Sequence, residues 1–208
     1  MRIVFVRHGQ TVFNTESRYQ GHTDAVLSEL GRLQADRVAG RLKNENTAAV
    51  YASDLGRAME TAEAIAAFHN LPVQTDDRLR ECAFGDWEGL SVDEIAERYP
   101  ELFADYRRDS IKHRAPKGER LEELQERVVQ AVNSIAEKHP EETVVAVVHA
   151  GPIRAFLCHA LGAPLEAFRN LRLDNCGITT FSLNAEGRWF LEAYNDTCHL
   201  AALESPSL

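Results

Sequence analysis

Short apolar runs alternate along this chain with longer stretches in which apolar positions recur every three or four residues. Ile3-Val4-Phe5-Val6 is a continuous apolar run suited to a buried strand. From Ser28 to about Leu42, the positions Leu30, Ala35, Val38, Ala39 and Leu42 fall at helical steps with Arg and Asp between them, which predicts an amphipathic helix. Ala49-Val50-Tyr51-Ala52 reads as a second strand, with Ser53 as N-cap of a helix running to about His69. Pro72 to Thr75 predicts a further short strand, and Asp76 to Gly89 an irregular stretch with two glycines. Ser91 and Glu94 have capping-box spacing and open a short helix that Pro100 limits. Leu121, Leu124, Val128, Val132 and Ile135 trace one face of a long helix ending near Pro140. The most strand-like segment, Thr143 to Val148, is almost wholly β-branched. A helix from Ile153 to Leu161 follows, and then two strands, Gly177 to Leu183 and Arg188 to Tyr194, around a turn at Asn184 to Gly187.

Strands alternating with helices predict a three-layer α/β/α sandwich whose central sheet is mostly parallel, with an antiparallel edge strand from the terminal hairpin. No repeat, low-complexity tract or linker interrupts the pattern, so one domain over residues 1–208 is expected, with a cap-like insertion around 84–120.

Composition narrows the classes of function. With 208 residues and 44% hydrophobic content the chain can bury a real core. A net charge of −9 argues against clamping nucleic acid, where surplus positive charge supplies most of the binding. No apolar run approaches the roughly 18 residues of a membrane span, and the opening run falls short of the roughly 7 to 15 of a signal-peptide core. A cytoplasmic protein without nucleic-acid or membrane partners is expected. Cys82, Cys158, Cys176 and Cys198 form no Cys-x-x-Cys pair and read as free thiols. The histidines show no metal-ligand spacing, and no Gly-x-x-x-x-Gly-Lys loop is present, so no metal is expected.

In such sheets ligands bind beyond the carboxyl ends of the strands. Three strands deliver polar residues there: Arg7-His8-Gly9-Gln10-Thr11, Ser53-Asp54-Leu55-Gly56-Arg57 and His149-Ala150-Gly151. A guanidinium fork matches phosphoryl oxygens, and Arg57 near a helix start adds backbone N–H groups and the positive end of the helix dipole. The acidic net charge excludes an extended polyanion, and it leaves a single phosphate in one crevice fully compatible.

These residues resemble the histidine phosphatase superfamily, the phosphoglycerate mutase-like proteins. Its Arg-His-Gly-(Glu/Gln)-(Ser/Thr) hallmark is present as Arg7 to Thr11. Asn14, Gln20-Gly21, Leu27-Ser28-x-x-Gly31, Ser53 to Ala62, Leu79-Arg80-Glu81, Gly85 to Gly89 and His149 to Gly151 follow in the family's order. The resemblance implies that His8 is the nucleophile forming a phosphohistidine, that Arg7, Arg57 and His149 surround the phosphoryl oxygens, and that Glu81 is the general acid and base. Glu88 and Asp86 are rival carboxylates for that role. Asn14, Gln20, Gly21 and Ala150 are implied phosphate- or substrate-binding positions, Gln20 and Ser53 being open to a structural role instead. His22, His69, His113, His139, His159 and His199 read as surface or packing residues. No metal and no cofactor are implied.

Mutases of the family carry a Glu-Arg-His-Tyr-Gly run at the acid residue and a longer insertion after it. Here the run is Glu81-Cys82-Ala83-Phe84-Gly85 and the interval to His149 is short, which favours a phosphatase. The resemblance is strongest to small bacterial broad-specificity and α-ribazole phosphatases. It implies a metal-independent phosphomonoesterase acting on small phosphorylated metabolites. The alternatives are a cofactor-dependent phosphoglycerate mutase and, in another class, a non-catalytic member binding a phosphate ligand or a protein. A homodimer is compatible with this reading. Between Tyr106 and Arg120, the cations Arg107, Arg108, Lys112, Arg114, Lys117 and Arg120 outnumber Asp109 and Glu119. In the family this segment lies over the mouth of the site, where it would either draw in anionic substrates or form a solvated loop.

Overall fold

The computed structural model describes residues 1–204. Its strands are β1 (Arg2–Arg7), β2 (Thr47–Ala52), β3 (Val73–Thr75), β4 (Thr143–Val148), β5 (Ile178–Leu183) and β6 (Trp189–Asp196). They form one sheet in the order β3-β2-β4-β1-β5-β6. The first four run parallel, and the terminal hairpin joins through β5, which is antiparallel to β1. The helices are α1 (Val12–Thr15), α2 (Glu29–Leu42), α3 (Gly56–His69), α4 (Val92–Arg98), α5 (Pro100–Arg108), α6 (Leu121–Lys138), α7 (Ala150–Ala160) and α8 (Ala201–Glu204). None is long and apolar enough to cross a membrane.

The period-two geometry of a strand splits each central run between two cores. Ile3 and Phe5 of β1, with Val144, Ala146 and Val148 of β4, pack with α6 and α7 through Leu124, Val128, Val132 and Phe156. Val4, Val6, Val145 and Val147 face the other way, onto α2 and α3 through Val38, Ala58 and Ile65. All six β-branched or apolar positions from Ile3 to Val6 and Val144 to Val145 are essentially inaccessible to solvent, which is why these strands read as unbroken apolar runs. A third cluster, around Trp87, Ile95, Phe103 and Ala115, lies within the stretch 84–120.

Three local expectations are corrected, and one short helix is added. Ser53 does not cap α3: the helix starts at Gly56 behind Leu55, which makes no side-chain cap. The Ser53 hydroxyl instead accepts the Leu55 N–H and meets His149. Pro100 ends α4 but also occupies the first turn of α5, where its missing N–H costs nothing. The helix after β4 starts at Ala150 rather than Ile153. α1 spans only four residues, too few to show a period, and is held by a capping box between Thr11 and Asn14.

The loop after β1 lies against the start of α2 with no room for a side chain. A Cβ on Gly31 would sit 1.9 Å from the Gln10 carbonyl oxygen, and one on Gly9 would sit 2.5 Å from the Gly31 carbonyl oxygen. Gly40, further along the same helix, has nothing within 4 Å of such an atom. Alanine at these two α2 positions should therefore act with opposite sign. Gly31→Ala is expected to destabilise by about 1–3 kcal/mol through overpacking against backbone. Gly40→Ala should stabilise by roughly 0.5–1 kcal/mol, because glycine is a poor helix interior residue. Urea midpoints at unchanged slope check both; a lower midpoint for both variants would refute the close-approach explanation.

Candidate active site

Parallel pairing places Arg7 of β1 opposite Val148 of β4, so the two strands hand His8 and His149 to the same end of the sheet. The two imidazole rings are 5.0 Å apart between centroids. β2, on the far side of β4, contributes Ser53 and then the turn into α3 that carries Arg57.

His8 is buried, and its Nδ1 lies 2.7 Å from the Gly9 carbonyl oxygen. A carbonyl can only accept, so Nδ1 carries the hydrogen and Nε2 keeps its lone pair. Burial, then Arg57 and Arg7, push the His8 pKa well below the ordinary imidazole range. The result is a neutral imidazole with an Nε2 lone pair, held beside two cations. His8 is fixed from outside as well: its carbonyl accepts from the Asn175 side chain at 3.0 Å, and the Gly9 N–H donates to Thr61 Oγ1 at 3.1 Å.

Both arginines are aimed by backbone oxygens. Arg57 donates to the Thr23 and Gly21 carbonyls at 3.0 and 2.7 Å, and Arg7 to the Leu173 carbonyl at 2.6 Å. In each, Nε is buried without a protein partner. Burial lowers both guanidinium pKa values and Glu81 opposes the shift; a guanidinium is so strong a base that both stay cationic. The site therefore offers unspent N–H donors in a desolvated place, where they act most strongly on a bound anion.

His149 is wholly buried, with Nε2 2.9 Å from Ser53 Oγ and Nδ1 unpartnered. Ser53 Oγ accepts the Leu55 N–H at 3.3 Å and has its hydrogen and a second lone pair left for His149 Nε2. With the Ser53 hydrogen given to Nε2, the hydrogen of His149 lies on Nδ1, which is then a further donor. Burial, with Arg57, His8 and Arg7, holds its pKa well below the ordinary range. Ser53→Ala should leave Nε2 buried and unsatisfied, costing about 1–3 kcal/mol of stability. Long-range nitrogen–proton NMR spectra should show the Nδ1–H tautomer in the parent protein and a tautomer mixture in the variant. An Nε2–H tautomer in the parent would overturn the assignment.

Glu81 stands at the N-terminus of α7. Its Oε1 accepts from Cys82 N at 2.8 Å and Gly151 N at 3.0 Å. Gly151 permits this approach, since a Cβ there would lie 2.1 Å from Glu81 Oε1. The Glu81 carbonyl is held by His22 Nε2 at 2.9 Å and Arg127 at 2.8 Å. Its rivals are occupied elsewhere. Glu88 accepts from His22 N, Thr23 N, Thr23 Oγ1 and Phe84 N; burial raises its pKa, but these bonds outweigh it and keep the carboxyl ionised. Asp86 pairs with Lys117 at 2.9 Å. Glu88 thus acts as a knot tying His22 and Thr23 to the loop that carries Glu81.

The remaining expected positions fall around the same opening. Asn14 and Arg7 line it with Gln20, Gly21 and Glu81 in a hollow of about 290 Å³. Asn14 Oδ1 is engaged by Thr11 and Asn175, so what it offers the hollow is its NH2 group. Gln20 accepts from Thr11 Oγ1, and Gly21 offers its carbonyl to Arg57. Ala150 lines a second hollow, of about 270 Å³, that shares Tyr19, Glu81 and Phe84 with the first. Sequence reasoning passed over His22, Asn175, Thr61 and Arg127 as site-shaping residues. Arg127 sits on the polar face of α6 and also grips Glu119 and the Arg78 and Arg80 carbonyls. No sequence period marks such a role. Among the described residues, no group of three or more His, Cys, Asp or Glu side chains is placed to hold a metal ion.

The family profile of the histidine phosphatase superfamily (branch 1) matches residues 3–197. The chain belongs to the histidine phosphatase superfamily. Within it, the chain is 36% identical over 200 residues to phosphoserine phosphatase 1 of Hydrogenobacter thermophilus, covering 96% of this chain and 94% of that protein. It is 38% identical over 201 residues to phosphoglycerate mutase-like protein 4 of Arabidopsis thaliana, covering 95% and 86%. A solved mycobacterial glucosyl-3-phosphoglycerate phosphatase, complexed with VO3, superposes with a TM-score of 0.87 at 33% identity, covering 94% of this chain and 99% of that one. The histidine phosphatase fold thus accounts for the mostly parallel sheet and the convergence of β1, β2 and β4 on one crevice.

Proposed function

We propose that this histidine phosphatase is a metal-independent phosphomonoesterase that hydrolyses small phosphorylated metabolites through a phosphohistidine on His8. The observation that carries the reading is the state of His8: Nδ1 bound to the Gly9 carbonyl, Nε2 free, the ring buried between Arg7 and Arg57. Nε2 attacks phosphorus as the ester P–O bond breaks, and the protonated Glu81 carboxyl gives its hydrogen to the departing oxygen. Water then attacks the phosphohistidine, its proton passing to the Glu81 carboxylate, and the N–P bond breaks to release inorganic phosphate and neutral His8. Arg7, Arg57, the His149 Nδ1–H and the Asn14 NH2 are the donors for the three equatorial oxygens, over which a loose phosphoryl-transfer transition state spreads its charge. Fixed cations perform the stabilisation a metal supplies elsewhere. With three buried free thiols, Cys82, Cys158 and Cys176, the protein suits a reducing cytoplasm.

The test is release of phosphate from 4-nitrophenyl phosphate in excess EDTA, where full turnover is expected. Absence of turnover would remove the phosphomonoesterase reading. Incubation with 3-phosphoglycerate, with and without its bisphosphate, separates hydrolysis from mutase action: free phosphate is expected, and conversion to 2-phosphoglycerate would mark a mutase.

A further inference from the structure

Resting on the phosphomonoesterase reading, we propose that Arg154 and Arg169 form a second anion subsite beside Glu81, and that the preferred substrates are phosphate esters whose leaving group carries a carboxylate. Both arginines line the 270 Å³ hollow that Glu81, Ala150 and Gly151 share. Arg154 stands one turn into α7, its guanidinium 5.6 Å from the Phe168 ring centre; that of Arg169 lies 4.9 Å from the Tyr106 ring centre. Aromatic faces fix the planes of the two cations without neutralising them. Among the described residues neither has a carboxylate partner, and Arg154 Nε is buried with no hydrogen bond.

The basic segment 106–120 behaves differently. Arg108 pairs with Asp105, Lys112 with Asp109, Arg114 with Glu123 and Lys117 with Asp86. The surplus charge seen there in sequence is largely answered by local acids, whereas the unanswered guanidinium groups face the hollow. Arg154 also lies close enough to Arg7 to help lower its pKa, so a phosphoryl group at Arg7 and a carboxylate at Arg154 would together relieve a standing repulsion. The hollow is smaller than the ~300–1,000 Å³ of pockets for drug-sized ligands, which suits an acid of a few carbons better than a nucleoside.

Steady-state kinetics on matched pairs test this: O-phosphoserine against O-phosphoethanolamine, and 3-phosphoglycerate against glycerol 3-phosphate. The acids should show kcat/KM higher by about tenfold or more, the difference lying mainly in KM, since the carboxylate is bound alike in ground and transition states. Arg154→Gln should bring each ratio toward one, and Arg169→Gln should lower it. Ratios near one in the parent protein would overturn the subsite, as would an Arg154→Gln variant that depresses both members of a pair equally. Should Arg154→Gln fail to fold, the parent ratios and Arg169→Gln decide alone, an unchanged ratio in that variant counting against the proposal. Turnover of 4-nitrophenyl phosphate keeps the two levels apart: hydrolysis without acid preference sinks only the subsite, while no hydrolysis sinks the phosphatase reading.

Discussion

Turnover of 4-nitrophenyl phosphate should fall by a factor of at least about 10⁴ in His8→Ala, the scale of losing a nucleophile from a catalytic unit. The neighbours cannot replace it. Arg7 and Arg57 are cations without a lone pair to give, and His149 Nε2 is committed to Ser53. Rapid acid-free quenching should trap phosphate on the parent protein and none on the variant. The pH profile supplies an independent check. Because burial, Arg57 and Arg7 lower the His8 pKa, Nε2 stays unprotonated below the ordinary imidazole range, and activity should not lose its nucleophile near pH 6.5. The same shift has a stability consequence. Below about pH 6.5 an unfolded chain protonates His8 and His149 while the folded one does not, so stability declines as pH falls through that range. Substantial activity in His8→Ala, or a His8 that titrates near 6.5 by NMR, would refute the assignment.

The parts of the site legible in sequence are those fixed by strand ends. Arg7, His8 and His149 follow β-branched runs whose burial leaves no other register, so locating the strands located the residues. Arg57 is legible, but the start of its helix reads too early because Ser53 looks like a helix cap; the Ser53 hydroxyl serves a histidine 96 positions away, a pairing that no local pattern encodes. Glu81 lies in a stretch without period and is legible only through the family resemblance, while the bonds that occupy its rivals Asp86 and Glu88 follow from the loop geometry. α5 does not stand out in sequence because Pro100 reads as a terminator, although proline also starts helices. Arg127 and Arg154 stay silent in sequence, for a helical arginine reads as solvated unless the partner loop is known. The charge surplus at 106–120 is incomplete in the same way, since Asp86, Asp105 and Glu123, which pair with its cations, lie outside that window.

Glu81→Gln should separate the two chemical steps. The amide keeps an oxygen for the Cys82 and Gly151 N–H groups, so the loop geometry survives while the transferable proton is lost. An alkyl ester such as glycerol 3-phosphate leaves as a poor alkoxide and needs that proton, so its turnover should fall by about 10²–10⁴. With 4-nitrophenyl phosphate the leaving phenolate is stable unprotonated. Its first turnover should stay near the parent rate, after which the phosphohistidine accumulates because no carboxylate activates the water. A burst of nitrophenolate stoichiometric with protein, followed by a slow steady state, is the expected trace. Gly151→Ala should give a milder form of the same trace: its Cβ would meet Glu81 Oε1 at 2.1 Å and push the carboxylate aside, with little cost in stability because the displaced group is the end of a flexible chain. Equal loss on both esters, with no burst, would mean that Glu81 acts before the phosphoryl group reaches His8, and the acid and base role would pass to another group.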